Sequence, residues 1–123
     1  LSKSRIKLGV QGEDLAVDYL KKKGIKVRVR NYRQKIGEVD IIAQDGQWLV
    51  FIEVKTRKSL RFGQPYESVT LKKQAQISRV ALDYITRNNL HDQPIRFDVI
   101  SILLQSDGNT DINHLPNCFD AVL

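Results

Sequence analysis

The stretch Glu38-Val39-Asp40-Ile41-Ile42-Ala43-Gln44-Asp45-Gly46-Gln47-Trp48-Leu49-Val50-Phe51-Ile52-Glu53-Val54-Lys55 decides how this chain folds. Two apolar runs, Ile41 to Ala43 and Trp48 to Ile52, flank Asp45-Gly46, and that pattern is the strongest short-range signal for a β-hairpin. With Asp45 and Gly46 as the loop, Gln44 pairs with Gln47, Ile42 with Leu49, Asp40 with Phe51 and Glu38 with Glu53. Side chains alternate along a strand, so Glu38, Asp40, Glu53 and Lys55 share one face, and Val39, Ile41, Val50, Ile52 and Val54 share the other.

That pairing sets Glu38 against Glu53. Like charges about 4 Å apart repel by roughly 4 kcal/mol at an effective dielectric near 20, before screening. Lys55 offsets part of this repulsion. A hard divalent cation would relieve it more fully, and Mg²⁺ is commonly held by one or two carboxylates together with waters and phosphate oxygens. A metal (Mg²⁺ or Mn²⁺) on Asp40 and Glu53 polarises a phosphodiester, and Lys55 is placed to orient water or neutralise developing charge. Glu38, at the strand end, is a further candidate. The other reading of the same residues is an ordinary charged strand facing solvent.

Outward from the hairpin, Leu15, Ala16, Tyr19 and Leu20 recur at helical spacing, which predicts a helix over 11–23 closed by Gly24. Glu13 lies on it, next at helical spacing to Ala16, Val17 and Leu20. It reads either as an inward-facing ligand or water-positioning group, or as a helix-start carboxylate favoured by the dipole. Strands are expected over 25–33, 38–44 and 47–56, with a loop over 59–69. Thr70 caps a second helix running to about Asn88, with Ile77, Val80, Ala81, Tyr84 and Ile85 as its buried stripe. A strand over 95–104, a turn at Ser106 to Asn109 and a short segment around Ile112 complete the chain. The order predicts one mixed α/β domain over 1–123, with antiparallel pairing at its centre.

Charge is unevenly distributed. Residues 1–82 hold 18 basic and 8 acidic side chains, against 2 and 6 in the remainder. Lys21, Lys22, Lys23, Lys26, Arg28, Arg30, Arg33 and Lys35 lie together with no acid among them, and Lys55, Arg57, Lys58 and Arg61 follow the central apolar run. Such concentrations suit a phosphate-binding surface or a solvated edge that resists aggregation. On a regular strand Lys26, Arg28 and Arg30 would share a face, with Val27 and Val29 on the other.

Several classes drop out. No stretch approaches the roughly 20 apolar residues of a membrane-spanning helix. One cysteine, Cys118, excludes an internal disulfide and suits a reducing cytoplasm; it reads as a small, semi-buried residue. Hydrolase triads, phosphate-binding glycine loops and dinucleotide fingerprints are missing from the sequence. His91 and His114 lack ligand spacing and read as surface or loop residues. Trp48 and Phe51 read as core, and Arg96 and Asp98 as an ion pair.

Gly12-Glu13, Arg30-Asn31-Tyr32-Arg33, Gly37-Glu38-Val39-Asp40, Phe51-Ile52-Glu53-Val54-Lys55, Phe62-Gly63 with Pro65, Lys73-Gln74 and Arg96-Phe97-Asp98 resemble, in this order, the motif series of the bacterial YraN family. Members are grouped with endonucleases similar to archaeal Holliday-junction resolvases. These belong to the restriction-endonuclease-like superfamily, whose signature is an Asp followed by Glu or Asp, any residue, and Lys. The resemblance implies that fold, with Asp40, Glu53 and Lys55 as the core site and Glu13 matching the resolvases' helix acid. The superfamily's Pro before the aspartate is Val39 here.

The expectation is therefore a cytoplasmic, Mg²⁺- or Mn²⁺-dependent endonuclease acting on DNA, branched or single-stranded forms included, with a homodimer suited to a junction. Lys26, Arg28, Arg30, Arg33, Lys35, Arg57, Lys58 and Lys73 are its expected phosphate contacts. The competing expectations are a non-catalytic nucleic-acid-binding module with the same fold, and an adaptor whose basic face meets an acidic protein.

Overall fold

The computed structural model describes residues 3–59 and 65–122; Arg61, Phe62 and Gly63 lie outside the described residues. Helix α1 (Lys3–Lys22) leads into strands β1 (Lys26–Gln34), β2 (Gly37–Asp45) and β3 (Trp48–Arg57). A short 3-10 helix, Pro65–Ser68, precedes helix α2 (Leu71–Arg87) and strands β4 (Ile95–Leu104) and β5 (Thr110–Phe119). The five strands form one sheet in chain order. All neighbours pair antiparallel except β3 and β4, which run parallel and are joined by the crossover that contains α2.

Helix α1 begins at Lys3 rather than near Gln11, so Glu13 sits in mid-helix and the helix-dipole reading of it falls. Its end lies where glycine places it: Gly24 has φ +79°, and the Ile25 amide reaches back to the Leu20 carbonyl at 2.9 Å. On α2, Thr70 Oγ1 accepts the Lys73 amide at 3.2 Å, and the whole expected stripe is buried.

Each helix covers one face of the sheet. Ala16, Val17 and Leu20 of α1 pack on Ile41, Ala43, Val50, Ile52, Ile100 and Ile102. The α2 stripe packs on Ile42, Leu49, Phe51, Phe97 and Val99. Burying a side chain of the Leu, Ile or Phe class contributes about 1.5–3 kcal/mol, so these two layers supply the main favourable term of folding. Helix α1 approaches β3 closely at Gly12, where an added Cβ would collide with Thr56 Oγ1.

The hairpin exists but its register is shifted. Asp45 pairs with Trp48, Gln44 with Leu49, Ala43 with Val50, Ile42 with Phe51 and Ile41 with Ile52, leaving Gly46 and Gln47 as the loop. Gly46 carries φ +57° at the first loop position, where a type II′ hairpin turn needs a glycine. Sliding by two residues preserves the face of most side chains while changing every partner. Glu38 therefore does not oppose Glu53, and the predicted clash between them is absent.

Strict alternation fails twice. The β1–β2 register slips between Val27 and Val29, so these valines join opposite cores and Lys26, Arg28 and Arg30 do not form one regular face. A second reversal separates the Arg30–Ile41 pair from the Tyr32–Val39 pair: Ile41 packs under α1, whereas Tyr32 and Val39 pack under α2. Val39 thus lies opposite to its expected face. Asn31, with φ +53°, occupies the intervening position.

Other expectations change with burial. Trp48 is exposed at the hairpin tip, whereas Phe51 is core. Cys118, on the edge strand β5, is exposed rather than semi-buried. The architecture is α/β, a five-stranded mixed sheet flanked by two helices, consistent with a restriction-endonuclease-like fold.

Candidate functional site

The site forms where β2 and β3 part company. Their ladder ends at Ile41–Ile52, and the next amide on β3 facing β2, that of Val54, is bound by a side chain instead: Asp40 Oδ2 accepts it at 2.8 Å. A buried amide needs a partner, and here the carboxylate takes the place of a ladder carbonyl. The face reversal at Asn31 and Asp40 and the parting of β2 from β3 are adjacent consequences of the same irregular backbone.

Glu53 neighbours Asp40 and is buried. Burial first, then the hydrogen bond and negative charge of Asp40, push its pKa up to about 8, against the smaller opposing pull of Lys73 and Lys55. Lys73 Nζ, from α2, stands 3.7 Å from Glu53 Oε2, an ion-pair distance beyond a hydrogen bond. Among the described residues, Glu53 Oε2 is buried without a hydrogen-bond partner. An orphaned carboxylate oxygen beside a second acid is an arrangement a divalent cation would satisfy. Asp40 and Glu53 are thus the residues that fit a metal. Among the described residues no cluster of three or more His, Cys, Asp or Glu has metal-binding placement. A cation held by Asp40 and Glu53 would have a carboxylate pair as its protein donors, a sparse coordination of the kind Mg²⁺ accepts.

A cleft of about 720 Å³ opens beside this pair, lined by Glu13, Glu38, Asp40, Lys55, Arg57 and Lys58 among others. Glu53 is not part of its wall and is seated behind it. Glu13 faces inward as its helical neighbours required. Its Oε1 accepts Arg30 Nε at 2.8 Å and Asn31 Nδ2 at 3.0 Å. Both contacts fall on one oxygen, so Glu13 is held by its back while the carboxyl borders the cleft. Asn31 is a residue the motif contained but whose role spacing alone did not disclose. A left-handed backbone, which asparagine tolerates better than most residues, is what turns its amide toward α1.

The basic residues divide. Arg30 is tied to Glu13 and Asp14, which raise its pKa, and Arg33 is tied to Glu38 at 2.8 Å. Lys73 leans on Glu53. Lys26, Arg28, Lys35 and Lys58 are exposed, and Arg57 and Lys55 are half-buried at the cleft.

On the α1 side of the sheet a second buried polar group uses the residues set aside as singletons. Asp98 accepts Arg96 Nε at 3.1 Å, the Asn117 amide at 2.9 Å and a contact with His114 Nε2 at 2.7 Å. His114 Nδ1 lies 3.2 Å from the Tyr19 hydroxyl, and Arg96 also reaches Asp45 at 2.8 Å. The Arg96–Asp98 pair is as expected; His114 is not a surface residue, being drawn in by the aspartate. His91 is exposed.

The chain is similar to known proteins along most of its length. The model of the family described as "Uncharacterised protein family UPF0102" matches residues 12–102. A UPF0102 protein of Trichlorobacter lovleyi is 48% identical over 98% of this chain and 95% of its own. One from Clostridioides difficile is 50% identical over 88% of the chain and 92% of its own, and one from Geobacter sulfurreducens 48% identical over 92% and 88%.

Proposed function

The chain belongs to the uncharacterised protein family UPF0102, the YraN family, and from that premise we propose that it is a metal-dependent endonuclease hydrolysing phosphodiester bonds in DNA, branched and single-stranded forms included. One observation carries the reading: half-buried Asp40 at the wall of a cleft that also presents Lys55, Arg57 and Lys58, backed by buried Glu53, one of whose oxygens has no hydrogen-bond partner among the described residues.

Mg²⁺ or Mn²⁺ held by Asp40 and Glu53 would supply Lewis acidity to the phosphodiester and balance the charge that builds on its oxygens. Lys55, two residues from Glu53 on β3, donates hydrogen bonds to the attacking water or to a non-bridging oxygen. Glu13, fixed by Arg30 and Asn31, orients water from the opposite wall. Arg57 and Lys58 hold the backbone phosphates beside the scissile bond. Among the described residues no helix is long and apolar enough to cross a membrane, and we place the enzyme in the cytoplasm, where its exposed Cys118 stays reduced. Two copies related by a twofold axis would meet the two scissile strands of a junction.

The test is purified protein incubated with branched, single-stranded and linear duplex DNA and either metal. Cleavage that disappears in Asp40→Ala and Lys55→Ala supports the reading; cleavage unchanged by both removes it. Lys73 beside Glu53 favours one alternative, a non-catalytic nucleic-acid-binding module whose acid pair is neutralised internally. That reading predicts salt-sensitive binding with no turnover in either metal.

A further inference from the structure

Three depressions lie end to end across the mouth of the sheet. The cleft at Asp40 shares Arg33 and Glu38 with a second of about 270 Å³, and the second shares Lys73 and Gln76 with a third of about 350 Å³ on α2. Lys72, Gln76 and Arg79 follow one another by four and three residues and so occupy one side of α2. Residues 71–82 contain no acid, and the first acid on the helix is Asp83. Lys72 and Arg79 are exposed and make no ion pair among the described residues. On β1 Arg30 and Arg33 behave otherwise, being engaged with Asp14, Glu13 and Glu38, whereas Lys26 and Arg28 stay exposed. Exposed positive charge open to a polyanion thus includes the first turns of α2, a region absent from the basic run that composition made conspicuous.

We propose that a nucleic-acid backbone follows this continuous path, from Arg57 and Lys58 at the α1 side, past the Arg33–Glu38 pair, to Lys72 and Arg79 on α2. The assignment deepens the nuclease reading and rests on it for the identity of the polyanion. A strand laid this way crosses the acid pair midway, with cations on both sides of the scissile position. Gln76, packed against Gly37 at the β1–β2 turn, keeps the turn seated on α2 so that the path is unbroken.

The experiment is fluorescence anisotropy of labelled duplex and single-stranded DNA without metal, over graded salt, comparing the wild type with Lys72→Ala/Arg79→Ala. A control double, Lys22→Ala/Lys23→Ala, removes the same charge at the far end of α1. The path predicts a loss of affinity of roughly tenfold or more in the α2 double. Its log K against log salt slope should fall by about 1.8 on duplex and about 1.4 on a single strand, the release expected for two phosphate contacts. The control should keep its slope. Equal losses in both doubles, or none in the α2 double, overturn the path and leave only diffuse basicity. Cleavage that persists while the α2 double binds normally sinks the path and spares the nuclease. Binding through α2 with no cleavage in either metal does the reverse.

Discussion

Asp40 Oδ2 accepts the backbone amide of Val54 at 2.8 Å, so a candidate metal ligand also closes the end of the β2–β3 ladder. The structural and chemical roles are separable only by keeping the hydrogen bond and removing the charge. Asp40→Asn retains an acceptor for Val54, and its thermal midpoint should stay near that of the wild type while cleavage is lost. Asp40→Ala should lose both, with stability falling by about 1–3 kcal/mol for the orphaned amide. Thermal unfolding paired with cleavage assays decides the matter.

Stability of the metal-free protein should fall as pH rises from about 5 to 8. Glu53 holds its proton to about pH 8 in the fold, against an ordinary value of 4.5, so within that window the folded state binds more protons than the unfolded one. The gradient then has a negative sign and approaches about 1.4 kcal/mol per pH unit for one full proton. Glu53→Gln should flatten it and leave the protein more stable than wild type at pH 8, as read by urea midpoints. Added Mn²⁺ should raise the wild-type midpoint more at pH 8 than at pH 5, since the cation competes with that proton.

Asn31 offers a test of backbone against side chain. Asn31→Gly keeps the left-handed conformation and should hold stability within a few tenths of a kcal/mol, while Asn31→Ala should cost about 1–2 kcal/mol. Both release Glu13 from its second donor, and cleavage should drop in both, by up to on the order of 10²-fold if Glu13 is displaced by about an ångström. Activity that follows stability alone would assign Asn31 to folding only.

Gly12→Ala should destabilise by roughly 1–3 kcal/mol, because the new methyl meets Thr56 Oγ1 on β3 and α1 must back away. Thr56→Ala in the same chain should recover part of that loss, measured by chemical denaturation.

Asp98→Ala leaves Arg96 and His114 without their shared acceptor in a buried setting and should cost about 3–5 kcal/mol. Desolvation pulls the Asp98 pKa upward, but the bonds from His114, Arg96 and Asn117 outweigh it and set it below the ordinary aspartate value. Its contribution is complete above that ordinary value and disappears as pH falls through the lowered one, below the window in which Glu53 acts. Acid unfolding shifted to higher pH in Asp98→Asn would be the sign.

The amino-acid order alone determined the elements that depend on local periodicity and turn chemistry. The apolar stripe of α2 from Ile77 to Ile85, its Thr70 cap, the Gly24 stop, the strand Ile95–Leu104 and the existence of the β2–β3 hairpin are all legible in this way. So is the grouping of Asp40 with Glu53, since a slide of two residues leaves a side chain on its face. Tertiary structure decided which acids meet. Register depends on which residues the turn consumes, and Gly46-Gln47 in place of Asp45-Gly46 moved Glu53 from Glu38 to Asp40. It also decided the faces of Val27 and Val29, because a bulge is an irregularity of pairing between strands and no single strand encodes it, and the face of Val39, which follows the reversal beside the left-handed Asn31. The same holds for Asn31 on Glu13, Lys73 on Glu53 and His114 on Asp98: contacts 18, 20 and 16 residues apart form only when both faces of the sheet are covered and each buried charge has taken the partner within its reach.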